Sequence, residues 1–147
     1  FVTGHSMGGA VATLTAAVLL NARRPVHSVY SFGSPRVGCR TFREIYGQYD
    51  QGRTFRVVNR HDIVARIPPR LLRYRHVGRL LYLDDDGDIH YELGFWERML
   101  KYLDPTGRDA QSYVNELADR LPGALDDHEA DAYVRKLERL AKPARSS

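Results

Sequence analysis

Gly4-His5-Ser6-Met7-Gly8 is the stretch of this sequence with the clearest chemical meaning. It fits G-x-S-x-G, in which a serine stands on a sharp turn between a strand and a helix. The flanks agree: Phe1-Val2-Thr3 reads as the end of a buried strand, and residues 7–20 are apolar almost all the way round. So tight a turn strains the serine backbone. Side chains two residues before and after it would collide with each other and with neighbouring strands, so glycine is expected at both places. The turn would lift Ser6 Oγ clear of the sheet and aim the next helix at the reacting carbonyl, with the Met7 backbone N–H as donor to an oxyanion. A helix start with a capping serine is a plainer reading that leaves most of the string unexplained. A P-loop wants Lys after its second Gly, and a dinucleotide fingerprint wants G-x-G-x-x-G, whereas this string is G-x-S-x-G-G-A.

A serine hydroxyl is a weak nucleophile, so an imidazole must take its proton and a carboxylate must hold that imidazole in the right tautomer. In α/β-hydrolases these follow the serine in the order acid, then base. Asp62 directly follows the strand-like TFRVVN, in a loop at the strand end where Ser6 also belongs. The plainer reading of Asp62 is the start of a turn. Asp50 falls at the opposite end of that strand, and Asp84 to Asp88 form a turn tip. Of six histidines, His5 adjoins the nucleophile and points away from it, His27 and His90 fall in predicted strands, and His61 adjoins the acid. His128 lies between two helices, downstream of Asp62 as the order requires. Its position supports two readings, a base in a loop folded back over the strand ends and a helix-start residue capped by Asp126 or Asp127.

The elements that must position these groups follow from the pattern of the chain. Residues 26–32 and 54–59 are β-branched and aromatic between Pro and Gly breakers, which predicts strands. Three short strands separated by ten or more residues predict parallel crossovers and an α/β sheet. Residues 79–92 run apolar, acidic with a central Asp-Gly, then apolar again, which predicts a β-hairpin. Its acidic run lacks calcium-loop spacing, so no metal is expected. Residues 95–103, 110–121 and 129–141 read as amphipathic helices and 143–147 as a polar tail, giving a domain over 1–142. Of the 147 residues, 43% are hydrophobic and 27% charged, the balance of one ordinary core. The residues present carry no leader segment and no apolar run able to span a bilayer, and localisation stays open. Cys39 is the single cysteine, so neither an internal disulfide nor a thiolate zinc site is available. The net charge of +4 comes from arginines concentrated between Arg53 and Arg79. That segment has Pro68-Pro69 and strand-spaced apolar residues and no basic helix, so a solvated face is expected and nucleic acid is not.

With these residues in view, the chain resembles the class 3 lipases, the fungal-lipase-like α/β-hydrolases, in four blocks. Residues 4–10 (GHSMGGA) are similar to the family's elbow, with Met7 where Leu is usual. Residues 31–38 (SFGSPRVG) and 59–69 (NRHDIVARIPP), the latter followed by Tyr74-Arg75-His76-Val77-Gly78, resemble its second and acid blocks. Asp127-His128, with Tyr133 beyond, is similar to its terminal block. The resemblance implies a partial α/β-hydrolase fold, a parallel sheet flanked by helices plus a β-hairpin, with a catalytic Ser6, Asp62 and His128 and Met7 at the oxyanion. It also implies hydrolysis of carboxylic esters, most naturally acylglycerols at a lipid interface, without a cofactor. In that family the first strands, the lid and a second oxyanion donor lie upstream of the elbow. The expectation is therefore a piece of a longer enzyme, with one sheet edge uncovered and activity lowered by the missing donor. A non-catalytic remnant serving as a binding or scaffold module, and a phospholipase, are the alternatives.

Overall fold

The computed structural model describes residues 1–91, 123 and 125–141. The predicted helices at 95–103 and 110–121 and the tail at 143–147 lie outside them. Strand β1 (Val2–His5) leads into helix α1 (Met7–Asn21), then β2 (Val29–Phe32), α2 (Arg40–Asp50) and β3 (Thr54–Asn59). Two short 3-10 turns, Val64–Arg66 and Arg70–Leu72, carry the chain to β4 (Arg79–Leu83) and β5 (Ile89–His90). A further 3-10 turn, Asp126–His128, precedes α3 (Ala130–Ala141).

The strands form one sheet in the order β1-β2-β3-β4-β5, so each new strand is added beside the last. Its first four strands are parallel and β5 returns antiparallel to β4. Residues 79–90 of the segment predicted as a hairpin thus play a double part. They form the predicted hairpin, and their first arm also extends the parallel sheet, pairing Phe55 with Arg79 and Asn59 with Leu83. The loop from Arg60 to Gly78, which contains both 3-10 turns, is long enough for the crossover that a parallel pair requires. The strand predicted over 26–32 is shorter than expected, and His27 lies just before it.

Alternation along the strands divides the core. Val29 faces α1 and α2 and packs with Ala16, Val26, Tyr46 and Val77. Val57 and Leu83 face the other way and pack with Tyr133 of α3, joined by Phe32 and Leu137. Helix α1 corrects one expectation. Its apolar composition predicts burial on most faces, yet Met7, Val11, Leu14 and Val18 point outward and are 75%, 57%, 45% and 69% exposed. Only the side carrying Gly9, Ala12, Thr13 and Ala16 is buried against the sheet. No helix among the described residues is long and apolar enough to cross a membrane.

Candidate active site

Ser6 is the single residue between β1 and α1, and it holds φ 56° and ψ −129°, a region that side-chain-bearing residues rarely occupy. Its N–H donates to the Phe32 carbonyl at 2.9 Å, and its own carbonyl accepts from Gly9 N–H at 2.9 Å. The strained turn is thus tied to β2 on one side and to the first helical turn on the other. The steric demand for glycine is confirmed at Gly4, where a Cβ would lie 2.2 Å from the Gly8 carbonyl oxygen. It is not found at Gly8. A Cβ there meets nothing within 4 Å among the described residues, because the clash at Gly4 is with the Gly8 backbone and not with a side chain. The second tight position is Gly9, where a Cβ would sit 2.8 Å from Ser34 Cβ and 3.0 Å from the Gly4 carbonyl oxygen. Met7 is the first residue of α1, so helix geometry leaves its N–H without an intrahelical acceptor.

His128 comes to Ser6 from the far end of the chain. Its Nε2 lies 2.8 Å from Ser6 Oγ, and its Nδ1 lies 3.0 and 3.1 Å from the two oxygens of Asp62. A carboxylate only accepts, so Nδ1 carries the hydrogen and neutral His128 presents a bare Nε2 to the serine hydroxyl. The residue closes a 3-10 turn in which its N–H donates to the Leu125 carbonyl at 3.0 Å. No side chain caps that turn, and the Asp127 carboxylate instead accepts the His61 backbone N–H at 3.1 Å.

Asp62 has no exposed surface. Its Oδ1 accepts the Val64 N–H at 2.8 Å and the Ala65 N–H at 3.4 Å, which is the turn its plainer reading anticipates. The same carboxylate also accepts from His128 and from the Tyr133 hydroxyl at 2.5 Å. Tyr133 receives the Asn59 backbone N–H at 3.0 Å. Burial, reinforced by the nearby Asp62 charge, raises the Tyr133 phenol far above its ordinary range, so it stays a donor.

Several supporting residues carry no obvious sequence signal. Gly33, at φ 57°, leaves space for the whole cluster: a Cβ there would lie 2.5 Å from Asp62 Oδ2, 3.0 Å from His128 Nδ1 and 3.1 Å from the Tyr133 hydroxyl. Asn59 is fully buried at the end of β3; its Nδ2 donates to the Asp127 carbonyl at 2.9 Å and its Oδ1 accepts Lys136 Nζ at 2.7 Å. Lys136 also donates to the Asp84 carbonyl, which joins α3 to the β4–β5 turn. An Asn at the end of an otherwise β-branched strand is the trace such a role leaves in sequence. His5 donates from Nε2 to the His128 carbonyl at 2.7 Å.

The other charged groups lie apart from this cluster. Asp50 is buried below β3 and accepts from Thr54. His76 sits near Ala65, its Nε2 2.8 Å from that carbonyl, and burial together with Arg56, Arg36 and Arg70 holds it well below the usual histidine range. The arginine-rich segment is not simply a solvated face. Arg56, Arg60, Arg66, Arg70 and Arg75 line a cavity with His76 on the α2 side of the sheet, and Arg66 is only 5% exposed. Strand alternation turns Arg56 inward beside Leu80 and Tyr82, which a count of arginines does not reveal. No group of three or more metal-ligating side chains occurs among the described residues.

Comparison with known proteins bears on the fold around this cluster. The family model for lipase (class 3) matches residues 1–72. Secreted mono- and diacylglycerol lipase 1 of Fusarium solani is 45% identical over 83 residues, which cover 56% of this chain and 24% of that protein. Phospholipase A(1) DAD1, chloroplastic, of Arabidopsis thaliana is 42% identical over 77 residues, 50% of this chain and 17% of its own. A solved triacylglycerol lipase, described as having a serine protease triad at its catalytic centre, superposes with a TM-score of 0.54 at 34% identity, over 60% of this chain and 34% of its own. The chain thus spans about a quarter or less of the length of these two curated relatives. Over residues 1–72, just under half of its length, the chain matches the class 3 lipase family, and its mostly parallel sheet has the α/β-hydrolase fold of the solved lipases it is similar to.

Proposed function

We propose that this chain carries the nucleophile, base and acid of a serine hydrolase acting on carboxylic esters of acylglycerol lipids. The observation that carries the reading is one line of hydrogen bonds, Ser6 Oγ to His128 Nε2 at 2.8 Å and His128 Nδ1 to Asp62 at 3.0 Å. In the first half-reaction Ser6 Oγ attacks the ester carbonyl while its proton passes to His128 Nε2. The Asp62 carboxylate stabilises the imidazolium so formed, and the Met7 N–H donates to the oxyanion. Collapse of the tetrahedral species breaks the ester C–O bond, and His128 protonates the departing alcohol. Water then repeats the sequence on the acyl-enzyme, returning the proton to Ser6 and releasing the fatty acid.

The test is turnover of p-nitrophenyl esters of several chain lengths by the full-length gene product. Ser6→Ala and His128→Ala are expected to lower kcat by at least about a thousandfold. Asp62→Asn is expected to act comparably, because an amide at that place favours the wrong imidazole tautomer. Wild-type-like turnover in Ser6→Ala would remove the proposal. The same chemistry on phospholipid is a second reading, favoured by the likeness to a phospholipase A(1) and by the arginine-lined cavity. Equal rates on neutral and anionic lipid vesicles would argue against it.

A further inference from the structure

We infer that His5 is a positioning residue for the base, an inference that rests on the triad reading above. His128 lies where a 3-10 turn gives way to extended backbone at Glu129, with ψ 136° there, before α3 begins. The first backbone turn of the new helix returns to Glu129, since the Ala132 N–H donates to the Glu129 carbonyl at 3.0 Å. The His128 carbonyl thus falls between two hydrogen-bonded units, and the partner it finds is the His5 side chain, Nε2 to O at 2.7 Å. A carbonyl can only accept, so Nε2 of His5 bears the hydrogen.

The imidazole of His5 does more than tie the backbone. Its ring stacks on that of His128 with centroids 4.7 Å apart and planes 28° from parallel. It also meets Tyr133 edge-on at 5.8 Å. Asp62 holds the His128 ring by its Nδ1 edge, and His5 holds its face and its main chain. Together they leave the base one place to stand, with Nε2 against Ser6 Oγ.

The position of His5 in the chain gives this contact its meaning. His5 is the last residue of β1, in register with Phe32, and the next N–H, that of Ser6, donates to the Phe32 carbonyl. Nucleophile and base-holder are therefore consecutive residues anchored to the same neighbouring strand. A single pair of residues sets the nucleophile and fixes the backbone of a base that lies 123 positions away from His5 in sequence. Displacing the base by an ångström would lower the rate by up to about a hundredfold without touching substrate binding.

Two substitutions separate the contributions. His5→Phe keeps an aromatic face but has no donor, whereas His5→Gln keeps a donor, its amide nitrogen falling close to the place of Nε2. Both are measured in the full-length gene product alongside Ser6→Ala and His128→Ala, by p-nitrophenyl butyrate kinetics, fluorophosphonate labelling of Ser6 and thermal melting. His5→Phe is expected to lower both kcat and the labelling rate about tenfold or more, with KM within about twofold. His5→Gln is expected to recover most of that loss, to within about fivefold of wild type. If His5→Phe melts early, His5→Met supplies the donorless side chain in its stead. A donorless variant that labels and turns over like wild type overturns the inference, as does a His5→Gln as slow as His5→Phe. When either occurs while Ser6→Ala and His128→Ala are inactive, the triad reading survives alone. Turnover retained in Ser6→Ala removes both.

Discussion

Asp62 sits in a position where a carboxylate is costly unless every lone pair is used, and four donors converge on it: two backbone N–H groups, the His128 ring and the Tyr133 hydroxyl. Tyr133 is the donor whose removal isolates the effect, since its hydroxyl serves two buried partners at once, giving to Asp62 and accepting from the Asn59 N–H. Tyr133→Phe leaves that N–H without its acceptor and the carboxylate one donor short. The expected result is a loss of about 1–3 kcal/mol in urea unfolding, with a fall in kcat as Asp62 gains freedom to turn away from His128. An unchanged urea midpoint would show that water takes over both contacts. At this scale the legibility of the sequence divides by chemistry. Ser6 and Asp62 sit in local strings whose context states their geometry, so both are legible from the residues on either side of them. His128 is placed only by chain order and resemblance, because nothing local distinguishes a base from a residue at a helix start. Gly33 is visible in the sequence as loop punctuation and as part of the 31–38 block of the resemblance, and neither says why glycine is needed there. Its real constraint is the crowding of three side chains from residues 62, 128 and 133, and no local pattern encodes so distant a contact.

The elements meet at the strand-to-helix turn, and the glycines around it are not equivalent. Gly4 is needed because the first turn of α1 passes directly over it, and Gly9 because the helix rests on Ser31 of β2 and on Ser34 in the loop just beyond that strand. Gly4→Ala is therefore expected to lift α1 off β1 and to destabilise by several kcal/mol, on the order of other severe overpacking changes. Gly8→Ala, which meets open space, should cost little or even gain up to about 1 kcal/mol from the higher helix propensity of alanine. Chemical denaturation of the two variants side by side checks the contrast, and equal losses would refute this account of the turn. The motif G-x-S-x-G thus names the right fold element while blurring which glycine does which task. The strands are readable because β-branched runs between breakers are a local signal. The parallel placement of β4 is not, since it depends on how the loop from Arg60 to Gly78 folds and not on the composition of β4 itself. The open outer face of α1 is equally hidden, as apolar composition does not say how much of it other elements cover.

Across the whole molecule, positive charge is concentrated on one side of the sheet, and His76 reports on it. Its ring lies by Ala65 among Arg36, Arg56 and Arg70, and burial together with these cations depresses its proton affinity well below that of an exposed histidine. His61 is shifted the same way, first by burial and then by Arg66 and Arg60, with Asp127 and Asp85 opposing. The sign of the consequence follows from linkage. Above about pH 6.5 both residues are neutral in the folded and the unfolded chain, and they add nothing to the pH dependence. As pH falls below that value, the unfolded chain takes up protons that the folded one refuses, so stability declines until the folded pKa is reached. Each such histidine contributes at most about 1.4 kcal/mol per pH unit over that window. Melting temperature is therefore expected to drop as pH is lowered from about 7.5 to about 5.0. His76→Gln, whose amide can still donate to the Ala65 carbonyl, should flatten the decline by roughly one proton's worth of slope. A variant with the wild-type slope would mean that His76 titrates freely in the folded protein, and that the arginines around it are screened by solvent rather than gathered in a common low-dielectric cavity.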